Sequence, residues 1–167
     1  MTIVVKNKDT LIYDEFTFKC CIGKNGFVKN KVEGDKKTPI GRYSLGNLYY
    51  RDDKLVKPIT KLKLFKINNT MGWCNDLKSK KFYNKLICTS MNLKHEKLFR
   101  KDYKYNLVLP IKYNWNKTKL GSGSAIFIHL TKNYKPTAGC IGLSEKDFLI
   151  LIKLITINTK IEILYPL

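Results

Sequence analysis

Two residues in the stretch "IFIHLTKNYKPTAGCIGLS", 126–144, could do chemistry together. His129 ends an apolar run, and Cys140 follows eleven positions later. An imidazole beside a thiol can take the thiol proton, and the resulting thiolate can attack an amide carbonyl. Gly139 removes a side chain where another group must approach closely, and backbone N–H groups at Gly139 and Cys140 are candidates to hold a tetrahedral oxyanion. The bland alternatives stay open on spacing alone. A strand histidine is often a hydrogen-bonded core residue, and a cysteine between glycine and isoleucine is often a small buried hydrophobe.

The elements around the pair follow from pattern. Alternation puts Ala125, Phe127 and His129 on one face of a buried strand over 125–130. "SEKD", 144–147, reads as a capping box with Ser144 as N-cap, and the apolar run behind it predicts a helix over about 145–156. A cysteine just before that helix would feel its positive end, which favours thiolate.

Upstream, "TIVVK", "TLIYD" and "FTFKCCIG" read as strands joined by tight turns. "RYSLGNLYYR" reads as one strand, and "KLKLFKI", 61–67, alternates with period two. Residues 68–85 look irregular, and "LKHEKLFR", 93–100, reads as a short helical turn. "YNLVLPIKY", 105–113, is a strand that Pro110 places near an edge or a strand end. "TKIEILY", 159–165, closes as a strand. With no repeat, linker or composition break, residues 1–167 form a single domain, mainly β with one main helix, of the α+β class.

Composition narrows the function. Hydrophobic residues make up 44% of the chain and aromatics 12%, which suits a folded core and excludes disorder. The net charge of +19 fits either a polyanion partner or a lysine-rich coding bias. Of the 32 basic residues only Arg42, Arg51 and Arg100 are arginines, and the lysines are scattered, so specific nucleic-acid reading is not expected. Five cysteines cannot all pair, and no spacing suits zinc, so no metal site is expected. Cys20, Cys21, Cys74 and Cys88 read as reduced packing thiols, leaving Cys140 as the thiol that a mild alkylating reagent should find first. No apolar run is long enough to span a bilayer, and "MTIVVKNKDTLIYD" has no signal-peptide pattern, so the chain reads as soluble.

The segment 126–144 resembles the L,D-transpeptidase catalytic domain (YkuD-like), with Thr137-Ala138-Gly139-Cys140 where that family has Ser/Thr-His-Gly-Cys. "KVEGDKKTPIGRYSLG", 31–46, resembles the family's "GD-x-x-TP-x-G" segment. "MGWCND", "LKHEKLFRKDYKYNLVL" and "GSGSAIFIH" resemble a compact bacterial subgroup, and together the blocks span most of residues 20–150. The resemblance implies a mixed-sheet β-sandwich, with Cys140 as nucleophile, His129 as base and Gly139 at the oxyanion hole. Ala138 replaces the histidine before Gly-Cys, the 129–140 loop is short, and Gly142 stands where arginine is frequent. A backbone carbonyl could orient the imidazole in place of a third side chain. His95, Trp73, Asn75, Asp76 and Arg100 are further candidates for a substrate cleft.

The implied activity is acyl transfer on peptidoglycan stem peptides. An L,D-peptide bond is cleaved through a Cys140 thioester, and the acyl group passes to an amine as a crosslink. Water as acceptor makes it an L,D-carboxypeptidase. No metal or organic cofactor is implied, the expected state is a monomer, and the implied location is the cell envelope or periplasm, with cytoplasm left open by the missing signal. The rival from another class is a non-catalytic basic module that binds polyanions.

Overall fold

The computed structural model describes residues 1–165; the end of the sequence-derived domain, residues 166–167, lies outside the described residues. The strands are short and numbered in chain order. They are β1 (Thr2–Val5), β2 (Thr10–Tyr13), β3 (Phe16–Cys21), β4 (Phe27–Val28), β5 (Thr38–Pro39), β6 (Gly41–Ser44), β7 (Leu48–Tyr50) and β8 (Leu64–Lys66). Then come β9 (Met71–Cys74), β10 (Leu86–Cys88), β11 (His95–Lys97), β12 (Leu107–Pro110), β13 (Phe127–Leu130) and β14 (Ile141–Leu143). The helix α1 (Glu145–Leu154) and β15 (Lys160–Ile163) complete the fold.

Ten strands join in the order β6-β15-β1-β2-β3-β14-β13-β12-β7-β8. Pairings β1–β15, β13–β14 and β7–β8 are parallel and the others antiparallel, so the sheet is mixed. β3 is shared between two halves: Phe16–Lys19 pair with β2, while Cys20 and Cys21 pair with β14. The halves enclose the main core with α1, from Ile3, Val5 and Leu11 on one side to Leu107, Leu109, Ile128 and Ile141 on the other. This is an α+β sandwich built on a mixed sheet, the architecture that the resemblance implies.

Strand alternation divides the second half between two environments. Leu107, Leu109, Ile126, Ile128, Leu130, Ile141 and Leu143 enter the main core, whereas Val108, Ala125, Phe127 and Cys140 join a second cluster with Trp73 and Leu98. A small sheet, β10-β9-β11, covers that second face.

Three elements differ from the sequence reading. "RYSLGNLYYR" is two strands, β6 against β15 and β7 against β12, because the chain crosses at Gly46, where N–H donates to Pro110 O at 2.7 Å and an added Cβ would crowd Pro110 and Trp115. The supposed irregular stretch contains β9. The supposed helical turn is β11, with His95 opposite Cys74, because pairing to β9 outweighs the helix propensity of Glu and Lys.

α1 begins as its cap pattern predicts: the Ser144 hydroxyl accepts from Asp147 N–H at 3.1 Å. Phe148, Leu151 and Ile152 are fully buried in the main core. The helix therefore packs on the face opposite the one bearing Cys140.

Candidate active site

Register places the chemistry. Ile128 pairs with Ile141 in the parallel β13–β14 ladder, so Cys140 lies beside Phe127 and one pleat from His129 on the same face. Both line one cleft of about 610 Å³. The Cys140 thiol donates to Ala125 O at 3.2 Å, and its sulfur accepts from Phe127 N–H at 3.4 Å.

His129 Nδ1 lies 2.9 Å from Leu130 O. A carbonyl only accepts, so Nδ1 carries the proton and Nε2 is the free base. The Tyr105 ring packs against the imidazole, with centroids 5.5 Å apart. Burial pushes the His129 pKa down to about 4, helped by Lys104 and Arg100 and opposed by the Leu130 carbonyl. Burial likewise pushes the Cys140 thiol up to about 12. The resting pair is thus neutral thiol and neutral imidazole, not the thiolate favoured by a helix dipole. The thiol faces away from the helix, and desolvation wins.

The turn before Cys140 is braced from far upstream. Gly139 has φ +135°, and an added Cβ there would lie 2.8 Å from Lys37 O. Thr38 Oγ1 donates to Gly139 O at 2.9 Å and accepts from Gly23 N–H at 2.9 Å. Asp35 shapes the Thr38 loop by accepting from Val32 N–H, Lys37 N–H and the Lys31 ammonium. The segment 34–39 is therefore a strut for the Gly139–Cys140 turn. Thr137 Oγ1 accepts from Gly139 N–H at 3.1 Å and donates to Cys140 O at 2.6 Å. The Gly139 amide is committed and does not point to an oxyanion. The Cys140 N–H has no such partner among the described residues.

The other sequence candidates divide. Asn75 and Arg100 line the cleft. His95 is a β11 residue whose ring packs on Gly72, Trp73 is buried with Nε1 donating to Asn84 Oδ1, and Asp76 caps backbone N–H groups of Lys78 and Lys94. None of these three lines the cleft. Their roles are packing and loop closure, which residue type alone does not distinguish from binding. Gly142 has no room for an arginine: an added Cβ would lie 2.6 Å from Cys21 Sγ.

Sequence reasoning missed Glu33, Glu96 and Tyr105, which line the cleft or its wall. Glu96 and Tyr105 fall inside the quoted block 93–109, so the signal was present without a means to rank residues within it. All five cysteines are free. Cys20 and Cys21 are buried with raised thiol pKa values, but Cys88 is exposed, and hydrogen bonds from Ser90 pull its thiol down, so it is not a packing residue. Among the described residues no group of three His, Cys, Asp or Glu is arranged to hold a metal, and no helix is long and apolar enough to cross a membrane.

The family model for the L,D-transpeptidase catalytic domain (YkuD) matches residues 1–163. The chain belongs to this family. The match extends past the recognised blocks at both ends, through β1 and β15. The family acts on peptidoglycan stem peptides and is typically found at the cell envelope. A search of curated proteins finds no match.

Proposed function

We propose that the chain is a single-domain cysteine acyl-transferase that cleaves an L,D-peptide bond of a peptidoglycan stem and passes the acyl group to an amine. One observation carries the reading: Cys140 and His129 share a sheet face and a cleft, and Leu130 O holds the imidazole in the tautomer that leaves Nε2 basic. A neutral imidazole is the protonation state a general base needs.

The thiol gives its proton to His129 Nε2 as sulfur attacks the L-centre carbonyl. Because the resting thiol is protonated, transfer and attack are coupled, and the thiol must turn from Ala125 O. The Cys140 N–H is the backbone donor that supports the oxyanion reading, in place of Gly139. Collapse breaks the C–N bond, and the departing D-alanine amine takes the proton from His129. The thioester then acylates an incoming amine and regenerates the thiol. Exposed Lys36, Lys104 and Lys135 around the cleft supply charge for stem carboxylates, a role that Gly142 cannot fill.

Water reaching the same thioester gives L,D-carboxypeptidase chemistry. A monomer working in the cell envelope completes the proposal. The test is incubation with tetrapeptide-stem muropeptides and mass spectrometry of protein and products. The expected result is a stem acyl group on Cys140, released D-alanine and crosslinked dimer. A hydrolysed stem without dimer makes it a carboxypeptidase. An unmodified protein with unchanged muropeptides overturns catalysis and favours the basic binding module.

A further inference from the structure

The oxyanion of the acylation step is short of donors. Gly139 N–H is spent on Thr137 Oγ1 at 3.1 Å, which leaves the Cys140 N–H alone on the backbone side. Charge that develops in a desolvated cleft is stabilised most by positive groups already fixed in place.

Most cations of the cleft do not meet that requirement. Lys36, Lys104 and Lys135 are exposed at its margin, and Arg100 is forked onto Asp102. Lys31 differs. It lines the same cleft as Cys140, and its side chain is only 3% exposed. Its stem lies along Gly123, where an added Cβ would come within 2.9 Å of Cδ and Cε. Its Nζ lies 3.4 Å from the place that a Cβ at Gly139 would take, one residue before the nucleophile. Two glycines thus leave the space that the lysine uses.

The ammonium is fixed but not used up. Nζ donates to Asp35 Oδ1 at 2.5 Å and to Lys37 O at 2.8 Å. An ammonium has three donors, and the third has no partner among the described residues. Bracing the loop does not by itself require a lysine, because Asp35 also accepts from Val32 N–H and Lys37 N–H. Nor is a buried ion pair a strong source of stability, since desolvation offsets its attraction. The Lys31 charge also acts on the nucleophile: it pulls the Cys140 thiol down, against burial and against the Glu96 charge.

We propose that Lys31 is a further catalytic residue, whose third N–H supports the negative charge formed at Cys140 and on the attacked carbonyl oxygen. The assignment rests on the stem-peptide reading given above. The thiol proton goes to His129 Nε2, the S–C bond forms, and the carbonyl electron pair moves onto oxygen. That oxygen accepts from Cys140 N–H and from Lys31 Nζ. Lys31 keeps all its protons. The pair returns as the C–N bond breaks, and the amine leaves with the proton from His129.

The test compares the full chain with Lys31→Met and Lys31→Gln. Methionine keeps the apolar stem. Glutamine keeps donors for Asp35 and Lys37 O, so it preserves the brace and removes the charge. Thermal melting checks folding, and isothermal titration in a Cys140→Ala background reads stem affinity without turnover. Single-turnover acyl-enzyme formation should fall by about 10²- to 10³-fold in both variants, the usual cost of one such donor, with stem affinity unchanged. A loss in affinity that accounts for the whole fall, or wild-type acylation in Lys31→Gln, overturns the assignment and leaves Lys31 as a brace. A second readout needs no stem chemistry. In a Cys88→Ser background, iodoacetamide should alkylate Cys140 about tenfold more slowly in Lys31→Gln, because less thiolate forms without the cation. If the wild type forms no acyl-enzyme, the stem-peptide reading fails. Slower alkylation then leaves the Lys31 charge acting on Cys140, and equal alkylation removes it as well.

Discussion

The two faces of the β12–β13–β14 region are made by the same few residues of chain and do opposite things. On the face toward α1, Leu107, Leu109, Ile128, Ile141 and Leu143 are fully buried against apolar neighbours. On the other, His129 and Cys140 are nearly as buried, at 6% and 7% exposure, yet their polar atoms have been taken out of water. Burial on the first face stabilises the fold through apolar area removed from solvent. Burial on the second sets protonation states, raising the thiol and lowering the imidazole. Equal burial thus has different consequences, depending on what is buried.

The sharpest break of that comparison is Cys140→Ala. D-alanine release and the acyl-enzyme mass should vanish, while stability falls by only about 1 kcal/mol, since a small buried group is lost. Release at the wild-type rate, or an acyl group on another cysteine, would remove Cys140 from the mechanism.

His129→Ala should lower single-turnover acylation by about 10²- to 10⁴-fold, the usual contribution of a positioned base. The thiol and the fold should survive. On the opposite face, Phe148→Ala should cost about 3–5 kcal/mol in denaturant unfolding, because it empties a fully buried site under the sheet. Its specific activity per folded molecule should stay near wild type. A core truncation that leaves stability alone but kills turnover would dissolve the distinction between the faces.

The pH profile gives a smaller and more diagnostic effect. His129 accepts a proton only when neutral, and it is neutral above about pH 4 rather than above its ordinary 6.5. kcat/KM should therefore hold from pH 7 down to about 5 and decline toward 4. Stability follows the same sign. The unfolded histidine binds a proton below 6.5 and the folded one does not, so stability attributable to His129 is lost as pH falls from about 6.5 to about 4. An acid limb centred at 6.5 would show an imidazole open to water.

The smallest effect concerns reactivity without function. Cys88 is exposed and its thiol is pulled down, whereas Cys140 is buried and pushed up, so a mild alkylating reagent should modify Cys88 first. This reverses the order expected from the sequence, where the nucleophile was the only thiol with a reason to react. Cys88→Ser should leave acyl transfer unchanged. Fast labelling of Cys140 in the free enzyme would mean that the thiol leaves Ala125 O more readily than the resting geometry implies.

Local signals determined what local physics decides. The cap at Ser144, the apolar run of α1 and the alternation of Ala125, Phe127 and His129 need only neighbours in the chain, and each is legible in residue order. That His129 and Cys140 share one sheet face and one cleft was legible through the resemblance at 126–144, since spacing alone left a packed core pair equally open. Tertiary structure decided what long-range contacts decide. Thr38 braces Gly139 across 101 positions, and no spacing rule relates them. β11 is a strand only because β9 lies beside it, and the broken "RYSLGNLYYR" follows from packing at Gly46. The direction of the thiol's shift depended on which sheet face α1 covers. A cysteine near a helix start reads as activated, and the same cysteine on the face away from the helix is a neutral thiol governed by desolvation. The placing of the Lys31 ammonium beside Gly139 belongs to the same class, because the two residues come from distant segments and meet only in the fold.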